Sequence, residues 1–319
     1  MPRTEYPIDH EALRARAGSY LYQLRMNIQA YHAAATVGQG RTYFHPENMP
    51  IIRRVLNTGL RATGTYWWGR RNARTIRVRE NHVSLRRLPD AFSGFRLLQI
   101  SDIHLDLYPA VTDALIERVR DAEYDLCVIT GDFRAETWGG IGPALTQAAR
   151  LIPHIKTPVY AVLGNHDFLE MVQPLERIGC RMLINERVAI DRDSAAIYIV
   201  GIDDPHFYET DNLEKATDGL PQEATKILLS HSAEPYRVAQ ARGIDLMLCG
   251  HTHGGQICLP GGFAPVRNAR QPRYMNNGPW SFHELTGYTS SGAGVCMVPV
   301  RFFCPPEVTI HVLGRTPPA

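Results

Sequence analysis

Lysine is nearly absent from this chain. Lys156, Lys215 and Lys226 are its three lysines, against 31 arginines, a bias of the genome to which we give no functional weight. No C-x-x-C pair occurs among Cys127, Cys180, Cys249, Cys258, Cys296 and Cys304, so there is no paired-cysteine metal or redox motif. Cys127 and Cys249 sit in apolar runs, where a thiol acts as a small buried hydrophobe, and all six are expected to be reduced in a reducing compartment. No stretch approaches the roughly 18 uninterrupted apolar residues of a spanning helix. The N-terminus is polar and lacks the apolar core of a signal peptide. The expected location is cytoplasmic, with any membrane association peripheral, at the inner face. Internal repeats and low-complexity segments are also missing.

A chain of 319 residues with 44% hydrophobic and 21% charged residues can build a sizeable core. Its net charge of +2 is unevenly spread. Residues 1–80 hold thirteen Arg and five acidic residues, a balance of +8, which leaves −6 for residues 81–319. Residues 1–74 therefore read as a basic helical arm and 75–319 as the main domain. Within the arm, Leu21, Leu24, Ile28 and Tyr31 recur at helical spacing and predict a helix over 11–35, broken by Gly38 and Gly40. A second helix follows Pro50, with Ile51, Ile52, Val55, Leu56 and Leu60 on one face and Arg53, Arg54, Asn57 and Arg61 on the other. Tyr66-Trp67-Trp68 beside Arg70 and Arg71 suits an anionic membrane surface, or else an arm packed on its own domain with a solvated arginine face.

From about residue 75 the pattern changes. Residues 75–78 and 83–88 flank Asn81 and predict a hairpin. Apolar runs at 95–100, 126–130, 159–163, 197–202, 227–230 and 246–249 then alternate with helical stretches near 110–121, 143–152 and 233–242. That alternation predicts an α/β fold with buried, largely parallel strands. Residues 286–312 are strand-like, punctuated by Gly and Pro, and predict an antiparallel finish.

Five of the apolar runs end in ligand-type side chains: Asp102 and His104, Asp132, Asn165-His166-Asp167, His231, and His251 with His253. Ligands in open α/β sheets bind beyond the carboxyl ends of the strands, so these residues are expected to share one site. Asp102 and His104, two positions apart, can face one ion. Asp132 offers two oxygens and could bridge two ions, Asn165 offers a neutral carbonyl, and His231, His251 and His253 offer imidazole nitrogens. Oxygen and imidazole donors without thiolate suit Mn, Fe, Zn or similar divalent ions. Two such ions about 3.5–4 Å apart can generate hydroxide and hold both sides of an in-line displacement at phosphorus. Gly131, Gly164 and Gly250 are expected to permit tight turns after their strands. The Asp203-Asp204-Pro205-His206 cluster reads as a structural turn near the cleft mouth.

These five ordered blocks, over roughly residues 93–312, resemble the motifs of the calcineurin-like metallophosphoesterases. The resemblance implies a four-layer αββα sandwich of two mixed sheets. It also implies two divalent ions, manganese first with Fe, Zn or Co as alternatives. Asp102, His104 and His253 would hold the first ion, Asn165, His231 and His251 the second, and Asp132 would bridge them. His166 would be the general acid, oriented by Asp167, in the hydrolysis of a phosphodiester or phosphomonoester. Where many members carry an acid three positions after the bridging Asp, this chain has Ala135, so the role of that acid is lost or moved to Glu136; Arg134 is expected to reach the substrate phosphate instead, or else to lie on a surface loop.

The run Gly250–Ile257, with Gly292-Ala293-Gly294 and 301–307, resembles one bacterial branch of phosphodiesterases with membrane-associating N-termini. Some of its relatives act on lipid-linked nucleotide diphosphates, a substrate presented at an anionic bilayer. Two other readings are open: an esterase or nuclease-type enzyme on soluble substrates, although the chain has no dedicated nucleic-acid module, and a non-catalytic metal-binding scaffold.

Overall fold

Branched apolar runs buried on both faces set the architecture. The computed structural model describes residues 7–34, 50–266 and 269–316. Leu126–Thr130 (β3), buried at all five positions, pairs in parallel with Arg96–Ile100 (β2) and Val159–Val162 (β4), and β4 with Cys180–Met182 (β5). Thr225–Leu229 (β8) lies between Ala195–Gly201 (β7) and Leu246–Cys249 (β9), again in parallel. Glu307–Arg315 (β12) runs antiparallel to β2 and carries Arg77–Leu85 (β1) in parallel at its outer side. Glu186–Arg192 (β6) forms a hairpin with β7, and Gly278–Phe282 (β10) with Leu285–Thr289 (β11), which joins β9 in parallel. The result is two six-stranded mixed sheets, ordered β1-β12-β2-β3-β4-β5 and β10-β11-β9-β8-β7-β6.

Side-chain alternation along the strands divides the core. Leu97, Val128, Ile199, Ile227, Leu229 and Leu248 fill the space between the sheets. Leu98, Ile129 and Ala161 face the other way, toward Pro109–Asp121 (α5), Gly142–Leu151 (α6) and Val172–Arg177 (α7), through Leu115, Leu145 and Leu175. Leu228 and Met247 pack outward on Leu213–Thr217 (α8) and Tyr236–Ala241 (α9). This is the expected four-layer αββα sandwich. At about 1.5–3 kcal/mol for each large side chain fully buried, the three layers of contact dominate its stability.

Three expectations are corrected. The helix foreseen over 11–35 is two helices, His10–Ala17 (α1) and Ser19–Ala34 (α2), because Gly18 takes a left-handed φ of 87° and caps α1 with its N–H on the Arg14 carbonyl. The break foreseen at Gly38 and Gly40 lies outside the described residues. The face of α2 pressed inward is Tyr22, Arg25 and Gln29, while Leu21, Leu24 and Ile28 are half-buried. The hairpin around Asn81 is one continuous strand, since Asn81 stays in register with His311 and bonds its ring at 3.0 Å. The chain's end is only partly antiparallel: residues 290–306 hold no strand and cross between the sheets before β12.

Among the described residues no helix is long and apolar enough to cross a membrane. Helices α1 and α2 dock on the sandwich: Leu13, Ala17 and Tyr22 enter its core, and Arg16 pairs with Glu176 and Glu186. Pro50–Ala62 (α3) covers only part of its apolar face: Ile52 and Leu60 are half-buried, Ile51 is 64% and Val55 65% exposed, and Arg53 pairs with Glu136. Thr65–Arg74 (α4) packs through Tyr66 and Gly69 against Val300 and Phe302, and a Cβ at residue 69 would sit 2.6 Å from both partners.

Candidate metal centre

The loops that leave β2, β3, β4, β8 and β9 meet at one edge of the two sheets. All seven foreseen ligands are buried there, in two donor groups that share one carboxylate. In the first, the Nε2 atoms of His104 and His253 face each other at 2.9 Å, and Asp102 Oδ1 lies 3.8 Å from His253 Nε2. Asp102, His104 and Asp132 bring one ligand atom each within 4.8 Å of one another. In the second, Asn165 Oδ1 is 2.9 Å from His231 Nε2 and 3.0 Å from His251 Nδ1. Asp132 Oδ2 sits between the groups, 3.3 Å from His231 Nε2 and 3.7 Å from His104 Nε2.

Backbone carbonyls aim the imidazoles. A carbonyl can only accept, so the Arg134 oxygen at 2.7 Å takes the Nδ1–H of His104 and the Thr130 oxygen at 2.8 Å that of His231. His104 then presents a bare Nε2 to the centre, the usual arrangement of a metal-binding histidine, and His231 turns its Nε2 to the Asn165 and Asp132 oxygens. Asp102 Oδ2 is buried and accepts no hydrogen bond. Converging lone pairs and an orphaned carboxylate oxygen make a poor apolar core and a good cation site. The donor set fits a pair of divalent ions.

The turns carrying these residues are strained. Asp102, His104, Asp132, His251 and His253 all have left-handed φ, between 45° and 72°. Of the three glycines expected to ease tight turns, only Gly131 does so by conformation, with φ of 89°. The other two supply room: a Cβ would fall 2.1 Å from Asp132 Oδ1 at residue 164, and 1.9 Å from Ser101 Oγ at residue 250. Burial raises the Asp102 and Asp132 carboxyls and pulls His104 down to about 3. Burial pulls hardest on His231, but the charge and hydrogen bond of Asp132, together with the charges of Asp102 and Asp204, outweigh it and raise that imidazole.

His166 belongs to the same cluster: its Nε2 is 3.9 Å from Asp132 Oδ2, and its Nδ1–H donates to the Ala135 carbonyl at 2.7 Å. The expectation that Asp167 orients it is corrected. The Asp167 carboxylate instead accepts the backbone N–H groups of Phe133, Arg134 and Gly164, tying the β3 loop to the β4 loop. Position 135 thus acts through its backbone, and Glu136 is committed to Arg53. Arg134 neither reaches outward nor lies on a surface loop. Its buried guanidinium covers the Phe168 ring at 4.0 Å and donates to the Trp138 carbonyl at 2.6 Å.

Three participants were missed. In the turn at 203–206, Asp204 caps the next residues as a structural turn would, but His206 lies against His251, ring centres 4.0 Å apart, with Nδ1 2.7 Å from Glu234. Its signal was present, an acid-and-histidine cluster at a strand end. Arg301, fully buried, gathers the carbonyls of Ser291, Gly292 and Gly294 behind Asp102. Cys296 brings its thiol within 4.8 Å of the donor atoms of His104 and His253, which no spacing rule predicts.

Comparison with known proteins points one way. The family model for calcineurin-like phosphoesterases matches residues 95–255. The Bacillus subtilis metallophosphoesterase YkoQ is 30% identical over 76% of this chain and 92% of its own length. Phosphodiesterase YaeI of Escherichia coli is 26% identical over 69% of this chain and 83% of its own. A Danio rerio transmembrane protein with a metallophosphoesterase domain is 28% identical over 76% of this chain and 58% of its own.

Proposed function

This chain belongs to the calcineurin-like phosphoesterase family, and from that premise we propose that it is a phosphodiesterase acting on a lipid-linked or nucleotide-diphosphate ester at the inner membrane face. Family membership makes it a metal-dependent phosphoric ester hydrolase. In our reading Asp102, His104 and His253 hold one ion, Asn165, His231 and His251 the other, and Asp132 both. The observation that carries it is the Asp132 carboxylate shared by the two donor groups, 3.3 Å from His231 Nε2 and 3.7 Å from His104 Nε2. When bound, the ions supply Lewis acidity and an activated water.

The remaining work falls to the chain. His166, held by the Ala135 carbonyl through Nδ1, donates a proton from Nε2 to the leaving oxygen. Asp167 fixes the loops that set its position. An open cavity of about 670 Å³ beside His206, lined by Glu234, Tyr236, Arg237 and Arg270, would take the group beyond the phosphate.

The diester preference draws support from the name of the E. coli relative. Metal-reconstituted protein should hydrolyse bis-p-nitrophenyl phosphate faster than p-nitrophenyl phosphate; the reverse order moves the reading to a monoesterase. The membrane part assigns the role of the basic arm to α3 and α4 and rests on exposed Ile51, Val55, Trp67 and Trp68 beside exposed Arg54, Arg61 and Arg71. The intact chain should float with anionic liposomes, and Ile51→Ser with Val55→Ser and Trp67→Ser should not. Equal flotation of both would refute the arm's role.

A further inference from the structure

The cysteine beside the first donor group is held there by the fold. Residues 292–296 press onto the loop of Asp102 and His104: a Cβ at residue 294 would fall 2.0 Å from the Ile103 carbonyl oxygen. Arg301 grips the Gly294 carbonyl at 2.6 Å. Gln256, itself buried, takes both backbone groups of Cys296, accepting its N–H at 2.7 Å and donating to its carbonyl at 2.8 Å. With the backbone clamped at both groups, the thiol stands within 4.8 Å of donor atoms of His104 and His253. A second feature of the same pocket calls for a cation, the buried Asp102 Oδ2 that accepts no hydrogen bond.

We infer that Cys296 is a ligand of the first ion, so that this site is a mixed histidine, carboxylate and thiolate site for a borderline-soft divalent ion. On binding, the thiol proton passes to water as the sulfur–metal bond forms. A sulfur donor favours zinc, cobalt or ferrous ion over manganese, which changes the metal preference expected from oxygen and nitrogen donors alone. The inference rests on the assignment of Asp102, His104, Asp132 and His253 to one ion.

Cobalt(II) added to chelator-treated protein tests it without reference to activity. Visible ligand-field absorption reports cobalt held by the site, and a near-ultraviolet sulfur-to-cobalt charge-transfer band reports thiolate coordination. The full chain should show both. Cys296→Ser should keep the visible absorption, which also reports an intact fold, and lose the charge-transfer band. Cys258→Ser and Cys304→Ser should keep both signals. Visible absorption without charge transfer in the unaltered chain, or charge transfer that survives in Cys296→Ser, overturns the cysteine and leaves the metal assignment standing. Absence of bound cobalt overturns the assignment itself, and the cysteine with it.

Discussion

Arg25 on α2 and Asp203 after β7 are buried to 1% and 4% exposure with N–O distance 3.1 Å, so removing one must be felt by the other. Arg25 also lies 3.6 Å over the Tyr208 ring and donates to the Asp167 carbonyl at 3.0 Å. The ion pair itself is out of hydrogen-bond alignment, so its attraction is mainly Coulombic. At an effective dielectric near 20, unit charges about 4 Å apart attract by about 4 kcal/mol. Arg25→Ala loses that attraction and strands a buried carboxylate, and a cost of about 3–5 kcal/mol is expected. Asp203→Ala strands a buried guanidinium at a similar cost. The double variant strands nothing, so its loss should fall short of the sum of the single losses by about 2 kcal/mol or more. Urea unfolding of the four proteins, with slopes compared to confirm two-state behaviour, measures this cycle. Losses that add to within about 0.5 kcal/mol would refute the pairing, and with it the claim that α2 is part of the folded domain.

Three further outcomes are expected. On the assignment of His166 as proton donor, His166→Ala should keep its metals and lose about 10²–10⁴ in turnover, read by metal analysis beside kcat; normal turnover would remove the assignment. Gly250→Ala places a methyl 1.9 Å from Ser101 Oγ and 2.2 Å from Asp102 Oδ2, and should cost about 1–3 kcal/mol and lower bound-metal stoichiometry; unchanged metal content would refute the steric argument. His311 is pulled down to about 3 by burial, with Nε2 3.0 Å from Gln99 Oε1 and Nδ1 3.0 Å from Asn81 Nδ2, so it folds as a neutral ring that donates to Gln99 and accepts from Asn81. Between its ordinary 6.5 and about 3 the unfolded chain binds the extra proton, so the stability it confers is complete above 6.5 and falls as pH drops, by about 2 kcal/mol at pH 5. In chelator-treated protein His311→Leu should lower the proton dependence of unfolding by nearly one proton below pH 6; an unaltered slope would count against a neutral His311.

The sandwich and the members of its centre were legible because both obey short-range rules. Runs such as Leu126–Thr130, short, β-branched and followed by glycine, suit buried strands better than helices, and the ligand-type residue after each run needs only the strand-end rule to be gathered with the others. What was not legible depends on contacts distant in sequence. Asn81 ends no strand because His311, far along the chain, bonds it in register. Apolar periodicity put Leu21, Leu24 and Ile28 on the inner face of α2, but Asp203 and Asp167 recruit Arg25 inward and rotate the helix. Asp167 was matched to the ring beside it in sequence, yet its oxygens go to backbone N–H groups that exist as a cluster only once β3 and β4 are side by side. Cys296 could not be found at all, since its place comes from Gln256 and Arg301 folding a strandless segment back over Asp102.

The strain at the centre bears on why its residues hold still enough to bind ions. A left-handed φ at a non-glycine residue costs on the order of 1–3 kcal/mol, and five of the seven proposed ligands have one. Such turns last only where neighbours over-determine them. Here the bonds run from loop to loop: Asp102 N–H donates to the Gly131 carbonyl, His104 N–H to the Asp132 carbonyl, Gly250 N–H to the His231 carbonyl, and His251 N–H to Asp102 Oδ1 at 2.9 Å. Each strand-end loop is thus pinned by the next, across both sheets. Relaxing one turn releases the bond that constrains its neighbour, so the loops move together or not at all. Cation loss should therefore loosen all of these turns at once, and hydrogen exchange at the amides of Asp102, His104, Gly250 and His251 should accelerate by a common factor on chelation. Unequal acceleration, confined to one donor group, would mean that the two halves of the centre are mechanically independent.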